Sequence, residues 1–255
     1  MRTEARYISN VGKVRKNNED SLLLNDSVLS QADMQQAGRL VSDDPAQIYA
    51  VADGMGGHRK GEVASRTVLE VLRDKRMSMH GTQDLTEVIQ SAKTALNWLA
   101  EKDKDSFGMG TTVTGILIAG ERSFLFHCGD SRLYRLAGRC LEKLTVDHSM
   151  VQRLFDEGVI TEDQMRSHPQ KNILSAALMG DMQSGLPPLE VREISPDCQG
   201  TFLLCSDGLW EGVGRSDMEE CLLSDGHDAS CLFEKAISAG ARDNVSFIVL
   251  KISKG

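Results

Sequence analysis

Four short aspartate motifs, Asn18-Glu19-Asp20, Asp53-Gly54, Asp207-Gly208 and Asp243-Asn244, are spread along the chain, and each borders a run that reads as a β-strand. Asp20 precedes Ser21-Leu22-Leu23-Leu24, Asp53 ends Ile48-Tyr49-Ala50-Val51-Ala52, Asp207 follows Thr201-Phe202-Leu203-Leu204-Cys205, and Asp243-Asn244 opens Val245-Ser246-Phe247-Ile248-Val249-Leu250. Carboxylates at strand ends sit on a rigid frame, and several brought together there repel one another unless a cation lies between them. A glycine after the aspartate lets the backbone approach closely, so that its carbonyl can join as a ligand. Hard oxygen donors with no Cys or His among them favour Mg2+ or Mn2+ over zinc. The pattern points to a metal-dependent hydrolase.

A chain of 255 residues can form one large domain or two small ones, with a full core in either case. No repeat, low-complexity tract or Pro/Ser-rich linker divides it, so a single domain over 1–255 is expected. The formal net charge of −8 argues against nucleic acid or an anionic membrane as the main partner, while leaving room for a local basic pocket. The six cysteines (Cys128, Cys140, Cys198, Cys205, Cys221 and Cys231) form no CxxC pair and mostly sit inside apolar runs, so they read as reduced core residues. The N-terminus has no apolar stretch behind it and does not read as a signal peptide. No segment approaches the roughly 18 consecutive apolar residues of a membrane helix. A cytoplasmic protein, a monomer in the simplest case, is the expectation.

Strand-like runs at Arg6–Ser9 and Ser21–Asn25 come first. The polar stretch Asp26–Gln47 is longer than most connections and reads as a surface excursion or a short helix around Val28–Met34. Two helices follow the strand at Ile48–Ala52. The segment Glu62–Arg76 places Val63, Thr67, Val68, Val71 and Leu72 on one face. The second helix opens with the capping-box pattern Asp84-x-x-Glu87 and carries Leu85, Val88, Ile89, Ala92, Leu96 and Leu99 at helical spacing. Thr111–Ala119, Ser123–Cys128, Arg132–Leu136 and Cys140–Leu144 are short β-rich runs between Gly-containing turns and predict an antiparallel meander. A polar helical region, about Ser149–Met179, contains a second cap signal at Thr161-x-x-Gln164. A strand at Thr201–Cys205, helices near Asp217–Leu223 and Asp228–Ser238, and a strand at Asn244–Ile252 close the chain. Strands in runs with helices in pairs predict an α+β fold in which helix pairs cover sheet faces as a layered sandwich.

In this order the motifs resemble the metal-dependent protein serine/threonine phosphatase family, type 2C, in its compact bacterial form. The resemblance covers nearly the whole chain. It runs through Gly12-Lys13-Val14-Arg15 to Asn18-Glu19-Asp20-Ser21, then Val51-Ala52-Asp53-Gly54-Met55-Gly56-Gly57-His58 with Gly61-Glu62-Val63-Ala64-Ser65. Gly108-Met109-Gly110-Thr111-Thr112, Cys128-Gly129-Asp130-Ser131-Arg132, Leu144-Thr145-Val146-Asp147-His148-Ser149, Cys205-Ser206-Asp207-Gly208-Leu209 and Asp243-Asn244-Val245 continue it. Each motif alone is weak, but the ordered set is specific.

The resemblance implies a four-layer αββα sandwich, two antiparallel sheets flanked by helix pairs, with a two-metal site at one end and a flap at about 149–179. It implies that Asp53, Asp207 and Asp243 are direct ligands of two Mn2+ or Mg2+ ions, with the Gly54 carbonyl beside them. Glu19 and Asp20 support the pair through metal-bound water, and Asp130 with Asp207 matches a third site. Arg15 matches the phosphate-binding arginine, a role suited to its planar fork of donors. The bland readings are turn aspartates at Asp-Gly, a hairpin turn at Asp130 and a surface arginine among Lys13 and Lys16. Thr111 and Thr112 read as the start of a strand, and His58, His148 and His168 as structural or loop residues. Met55 occupies the place where many relatives carry a proton-donating histidine, so the donor is left to metal-bound water, the favoured choice, or His58. The implied activity is hydrolysis of phosphoserine and phosphothreonine in a phosphorylated protein substrate, opposing a cognate Ser/Thr kinase. The alternative is a catalytically inactive binding module on the same fold.

Overall fold

The structure is a computed structural model that describes residues 1–56, 60–194, 199–224 and 229–254. Strands β1 (Arg2–Asn10), β2 (Ser21–Leu24), β3 (Ser27–Ser30), β4 (Gly38–Ser42), β5 (Ala46–Ala52) and β6 (Gly54–Met55) precede two long helices, α1 (Gly61–Lys75) and α2 (Thr82–Lys102). Next come β7 (Gly110–Thr111), β8 (Val113–Ala119), β9 (Arg122–Cys128), β10 (Arg132–Ala137) and β11 (Cys140–Lys143). Helices α3 (Met150–Asp156) and α4 (Glu162–Ser167) are followed by β12 (Leu178–Met179), β13 (Glu190–Ile194) and β14 (Gly200–Cys205). The chain ends with α5 (Asp207–Trp210), α6 (Arg215–Leu223), α7 (Ala229–Ser238) and β15 (Val245–Ser253). One sheet has the order β11-β10-β14-β15-β1-β4, the second β13-β9-β8-β5-β2-β3, and a small third sheet β12-β7-β6.

Period-two alternation decides which way each strand faces. Leu22, Leu24, Tyr49, Val51 and Ile116 of the second sheet meet Phe202, Leu204, Ile248 and Leu250 of the first in a core between the sheets. The neighbouring residues Leu23, Ile48, Ala50 and Ala52 face outward, where Ala64, Val68 and Leu72 of α1 and Ile89, Ala92 and Leu96 of α2 cover them. On the opposite side Leu203, Cys205, Phe247 and Val249 lie under Leu209, Met218, Leu222 and Leu232 of α5–α7. The result is the expected αββα sandwich of antiparallel sheets. Among the described residues no helix is long and apolar enough to cross a membrane.

Several local expectations are corrected. The helix around Val28–Met34 is absent: β3 folds back on β2 through a two-residue turn, with Asn25 left-handed at φ 58°, a conformation that Asn tolerates better than most residues. The excursion then returns as β4 to pair with β1. The predicted meander is two hairpins in different sheets. β8–β9 belongs to one and β10–β11 to the other, and the chain crosses between them at Gly129, whose φ is 119° and whose missing side chain leaves room for Thr112. Helix α2 begins at Thr82, ahead of the expected cap, and Asp84 instead accepts from the His80 amide. The cap at Thr161–Gln164 forms in both directions. The cysteines are not all reduced core residues: Cys221 and Cys231 form a disulfide between α6 and α7, and Cys140 is exposed, while Cys128 and Cys205 are buried thiols. Cys198 lies outside the described residues.

The flap expected after Ser149 is tied at its base. The Met150 amide donates to the Ile173 carbonyl (2.8 Å) and the Ser175 amide to the His148 carbonyl (2.9 Å). His127 on β9 is fully buried beneath this base, its ring centroid 4.8 Å from that of His148. The Val146 carbonyl can only accept, so Nε2–H of His127 donates to it (2.9 Å), and Nδ1 lies 2.8 Å from the Thr114 hydroxyl, whose one proton it shares with the Ser131 carbonyl (2.9 Å). Burial, then the neighbouring His148, pushes the His127 pKa down from 6.5 to about 4. Between those values the unfolded chain binds a proton that the folded protein refuses. The contribution of His127 is intact above its unfolded pKa and is lost as pH falls toward 4. The full shift corresponds to about 3 kcal/mol. Thermal unfolding followed by circular dichroism from about pH 7 to pH 5 should therefore show a steeper fall in midpoint for the native protein than for His127→Gln. Equal slopes would contradict a buried neutral imidazole.

Candidate metal centre and substrate cavity

The two sheets and the crossing between them deliver the aspartates to one place. Asp20 enters β2 and Asp53 leaves β5, both in the second sheet; Asp207 follows β14 and Asp243 precedes β15 in the first. Asp130 sits on the crossing. A cavity of about 740 Å³ opens here, with Arg15, Glu19, Asp53, Gly54, Asp130, Asp207 and Asp243 at one end. Residues between Asn172 and Pro187 form a further wall of the same cavity.

Neutral groups hold the segments that carry the carboxylates, mostly through the backbone. The Asp53 amide donates to the Thr112 hydroxyl (3.0 Å), while the Asp53 carbonyl accepts from the Thr112 amide (2.9 Å) and the Thr111 hydroxyl (3.0 Å). The two threonines thus clamp the turn on both sides, more than the strand start read from sequence. Gly54 packs where any Cβ would press into the carbonyls of Gly61 and Glu19, and its amide donates to the Glu19 carbonyl (3.2 Å). Asn244 ties three segments: its side-chain oxygen accepts from the Glu19 amide (2.9 Å), and its nitrogen donates to the carbonyls of Val11 and Asn17 (both 2.9 Å). Asp20, 1% exposed, accepts from the Ser206 hydroxyl (2.8 Å). Asp130, 8% exposed, is braced through its carbonyl by the Trp210 indole (3.2 Å). Arg132 lies 3.4 Å over that indole and is itself fixed by three bonds to Asp147. Thr111, Thr112, Asn244, Trp210 and Arg132 are absent from the predicted site. Only the placement of four of them inside the ordered motifs could have flagged them.

The electrostatics are those of crowded anions. Burial, followed by Asp20 and Asp207, raises the Asp53 pKa well above the usual carboxylate value, and burial then Asp207 does the same at Asp130. Asp20 is raised chiefly by burial, and Asp207 to about 7 by burial and then Asp243. Glu19 is raised by burial and then by Glu62. Arg15 is the one cation lining the cavity among the described residues, and it donates to Asp243 (2.6 Å) in an exposed pair. Among the described residues no three side chains are already drawn together as a closed ligand set. The donor chemistry nevertheless fits hard divalent cations: oxygen donors, several buried, with one guanidinium against them. His58 lies outside the described residues. His148 accepts from the Gly129 amide (3.2 Å) and His168 from the Gln170 amide (3.2 Å), so both act in loop structure.

Comparison with known proteins matches this geometry to one family. The protein phosphatase 2C profile matches residues 29–225. The serine/threonine phosphatase stp of Listeria monocytogenes is 34% identical over 257 residues, covering 97% of this chain and 95% of its own length. The serine/threonine protein phosphatase PstP of Mycobacterium tuberculosis is 37% identical over 249 residues, and there the chain spans only 44% of the relative's length. Its crystal structure superposes with a TM-score of 0.82 at 34% identity over the whole of both chains. The PstP catalytic domain in complex with two manganese ions gives a TM-score of 0.79 at 33% identity, again over both whole chains. The chain belongs to the protein phosphatase 2C family.

Proposed function

We propose that this protein is a phosphatase for phosphoserine and phosphothreonine in proteins, working with two Mn2+ or Mg2+ ions. In this reading Asp53, Asp207, Asp243 and the Gly54 carbonyl hold the ions, Glu19 and Asp20 back them through water, and Asp130 with Asp207 can take a third. The observation that carries it is the group of carboxylates lining one cavity together with Arg15, the one arginine there among the described residues. The two manganese ions bound by the PstP catalytic domain support the cofactor. The reading includes residues 1–255 acting as one catalytic unit, a cytoplasmic setting and a cognate Ser/Thr kinase whose products are the substrates. An inactive binding module on the same fold finds no support, because no aspartate of the set is missing.

When bound, the cations supply Lewis acidity toward the phosphoryl oxygens and lower the pKa of the attacking water. The chain's own residues bind, orient and hold. The Arg15 fork can donate to two oxygens of a phosphate dianion, which competes with Asp243 for it, and so turns the phosphorus toward the carboxylate end. Thr111, Thr112, Ser206 and Asn244 keep the carboxylate-bearing turns from splaying under their mutual repulsion. No serine, cysteine or histidine nucleophile is needed.

The first test is the Asp207→Asn variant, assayed on a phosphothreonine peptide and on p-nitrophenyl phosphate with Mn2+, Mg2+ or EDTA. Turnover should fall by roughly a hundredfold or more. The metal-free variant should melt at or above the metal-free native protein, because one charge leaves a repulsive cluster. Undiminished activity in EDTA would remove the metal assignment.

A second variant, Arg15→Ala, should raise KM by about tenfold for both substrates, with kcat falling too if the fork senses developing charge. Steady-state kinetics decide this, and an unchanged kcat/KM would return Arg15 to the surface.

A further inference from the structure

Lysine is among the residues least often buried, yet Lys93 on α2 is 2% exposed. Its three ammonium protons go to neutral acceptors: the Asn97 side-chain oxygen (2.8 Å), the Met179 carbonyl (2.6 Å) and the Asp181 carbonyl (2.8 Å). The nearby Asp181 carboxylate is turned away and accepts from the Gln183 amide and the Ser184 hydroxyl. Burial lowers the pKa of Lys93, so its charge is kept here at a cost. A methionine or leucine could fill the same space without that cost.

The arrangement answers a need of the backbone. β12 has one strand neighbour, β7, and on that side the Gly180 amide donates to Met109 (2.7 Å) while its carbonyl accepts from Gly108 (3.1 Å). The chain bends tightly at Gly180, with the Asp181 amide donating to the Met179 carbonyl (3.1 Å). The Met179 and Asp181 carbonyls both reach the Lys93 ammonium on α2, where no strand follows. The Lys93 ammonium takes the place of that missing strand. Gly180 lets the segment lie flat on α2, since a Cβ there would come 3.1 Å from the Leu96 carbonyl and 3.3 Å from Ala100. From this anchor the Asp181 turn leads directly into Ser184–Pro187, and Met179, Asp181 and Ser184–Pro187 line the same cavity as Arg15.

We propose that Lys93 is a positioning residue for phosphopeptide recognition: it fixes the cavity wall against which residues flanking the phosphorylated side chain lie. The inference rests on the phosphatase reading above. Lys93 bonds to none of the residues that clamp Asp53, and the wall meets that clamp only through the β12–β7 pair, so a small substrate held only by the carboxylate end and Arg15 depends on the wall less than a peptide does.

The test compares Lys93→Met with native protein on a phosphothreonine peptide and on p-nitrophenyl phosphate, both with Mn2+. The expected result is a loss of at least fivefold in kcat/KM for the peptide, carried by KM, with the aryl phosphate within twofold of native. Lys93→Arg, which keeps donors for both carbonyls, should recover most of the loss. Should Lys93→Met not fold, Asn97→Ala removes one tether of the ammonium and is expected to cost about threefold on the peptide alone. A peptide-to-aryl ratio within twofold of native in the variant that folds overturns the proposal, and so does a parallel loss on both substrates. Native protein that hydrolyses the aryl phosphate but no phosphopeptide overturns the substrate reading and this inference with it.

Discussion

Mutual repulsion among carboxylates at one end of the sandwich is the constraint on which the rest of the structure turns. Asp20, Asp53, Asp130 and Asp207 each have a raised pKa, with burial as the first cause and another aspartate among the others. A protein selected only for stability would not assemble such a group. Holding it requires that the participating turns be anchored, most of them through the backbone. The anchors are neutral: hydroxyls at Thr111, Thr112 and Ser206, the amide of Asn244, and the indole of Trp210. A buried chain of such groups, Asn18 to Ser9 to Ser246 and Ser206 to Asp20, runs across the ends of β1, β15 and β14. Neutral donors can satisfy the backbone without cancelling the negative potential that attracts a cation.

Much of this was legible in the sequence, for identifiable reasons. The strands carrying the aspartates alternate cleanly, as Leu22-Leu23-Leu24 shows by sending its outer two residues between the sheets and its middle one under α1. The aspartates stand at strand ends, so finding the strands also found the cluster. What was not legible depends on contacts between distant segments. The β9–β10 connection looks like another meander turn until Gly129 is seen to cross between sheets. Asn244 resembles a turn residue, yet its partners lie more than two hundred positions away. Cys221 and Cys231, ten residues apart, meet only because α6 and α7 pack side by side. Lys93 reads as one more solvated lysine of an amphipathic helix, because the carbonyls it serves belong to residues 179 and 181. Local pattern reports which face a residue takes; it is silent on what meets that face.

The division of aspartates between sheets gives the hydrophobic core a part in the chemistry. Asp20 and Asp53 ride on the second sheet, Asp207 and Asp243 on the first, and Asp130 on the link between them. The distance between the two pairs is set by the layer that separates the sheets, where Leu22, Tyr49 and Ile116 interdigitate with Phe202 and Ile248. Interiors packed to crystal density transmit small displacements instead of absorbing them. A change of one methylene in that layer therefore reaches the carboxylates even though it touches none of them. The outer helices act on the site more directly, since Asp207 opens α5, Trp210 of α5 holds the Asp130 carbonyl and Ser65 of α1 donates to the Glu19 carbonyl. The cavity wall obeys a third rule: it hangs on α2 through one ammonium and on β7 through a two-residue strand pair. The wall and the Asp53 clamp therefore meet at β7, where Thr111 pairs with Leu178 and also donates to the Asp53 carbonyl, while the hold of α2 on the wall touches none of the carboxylates.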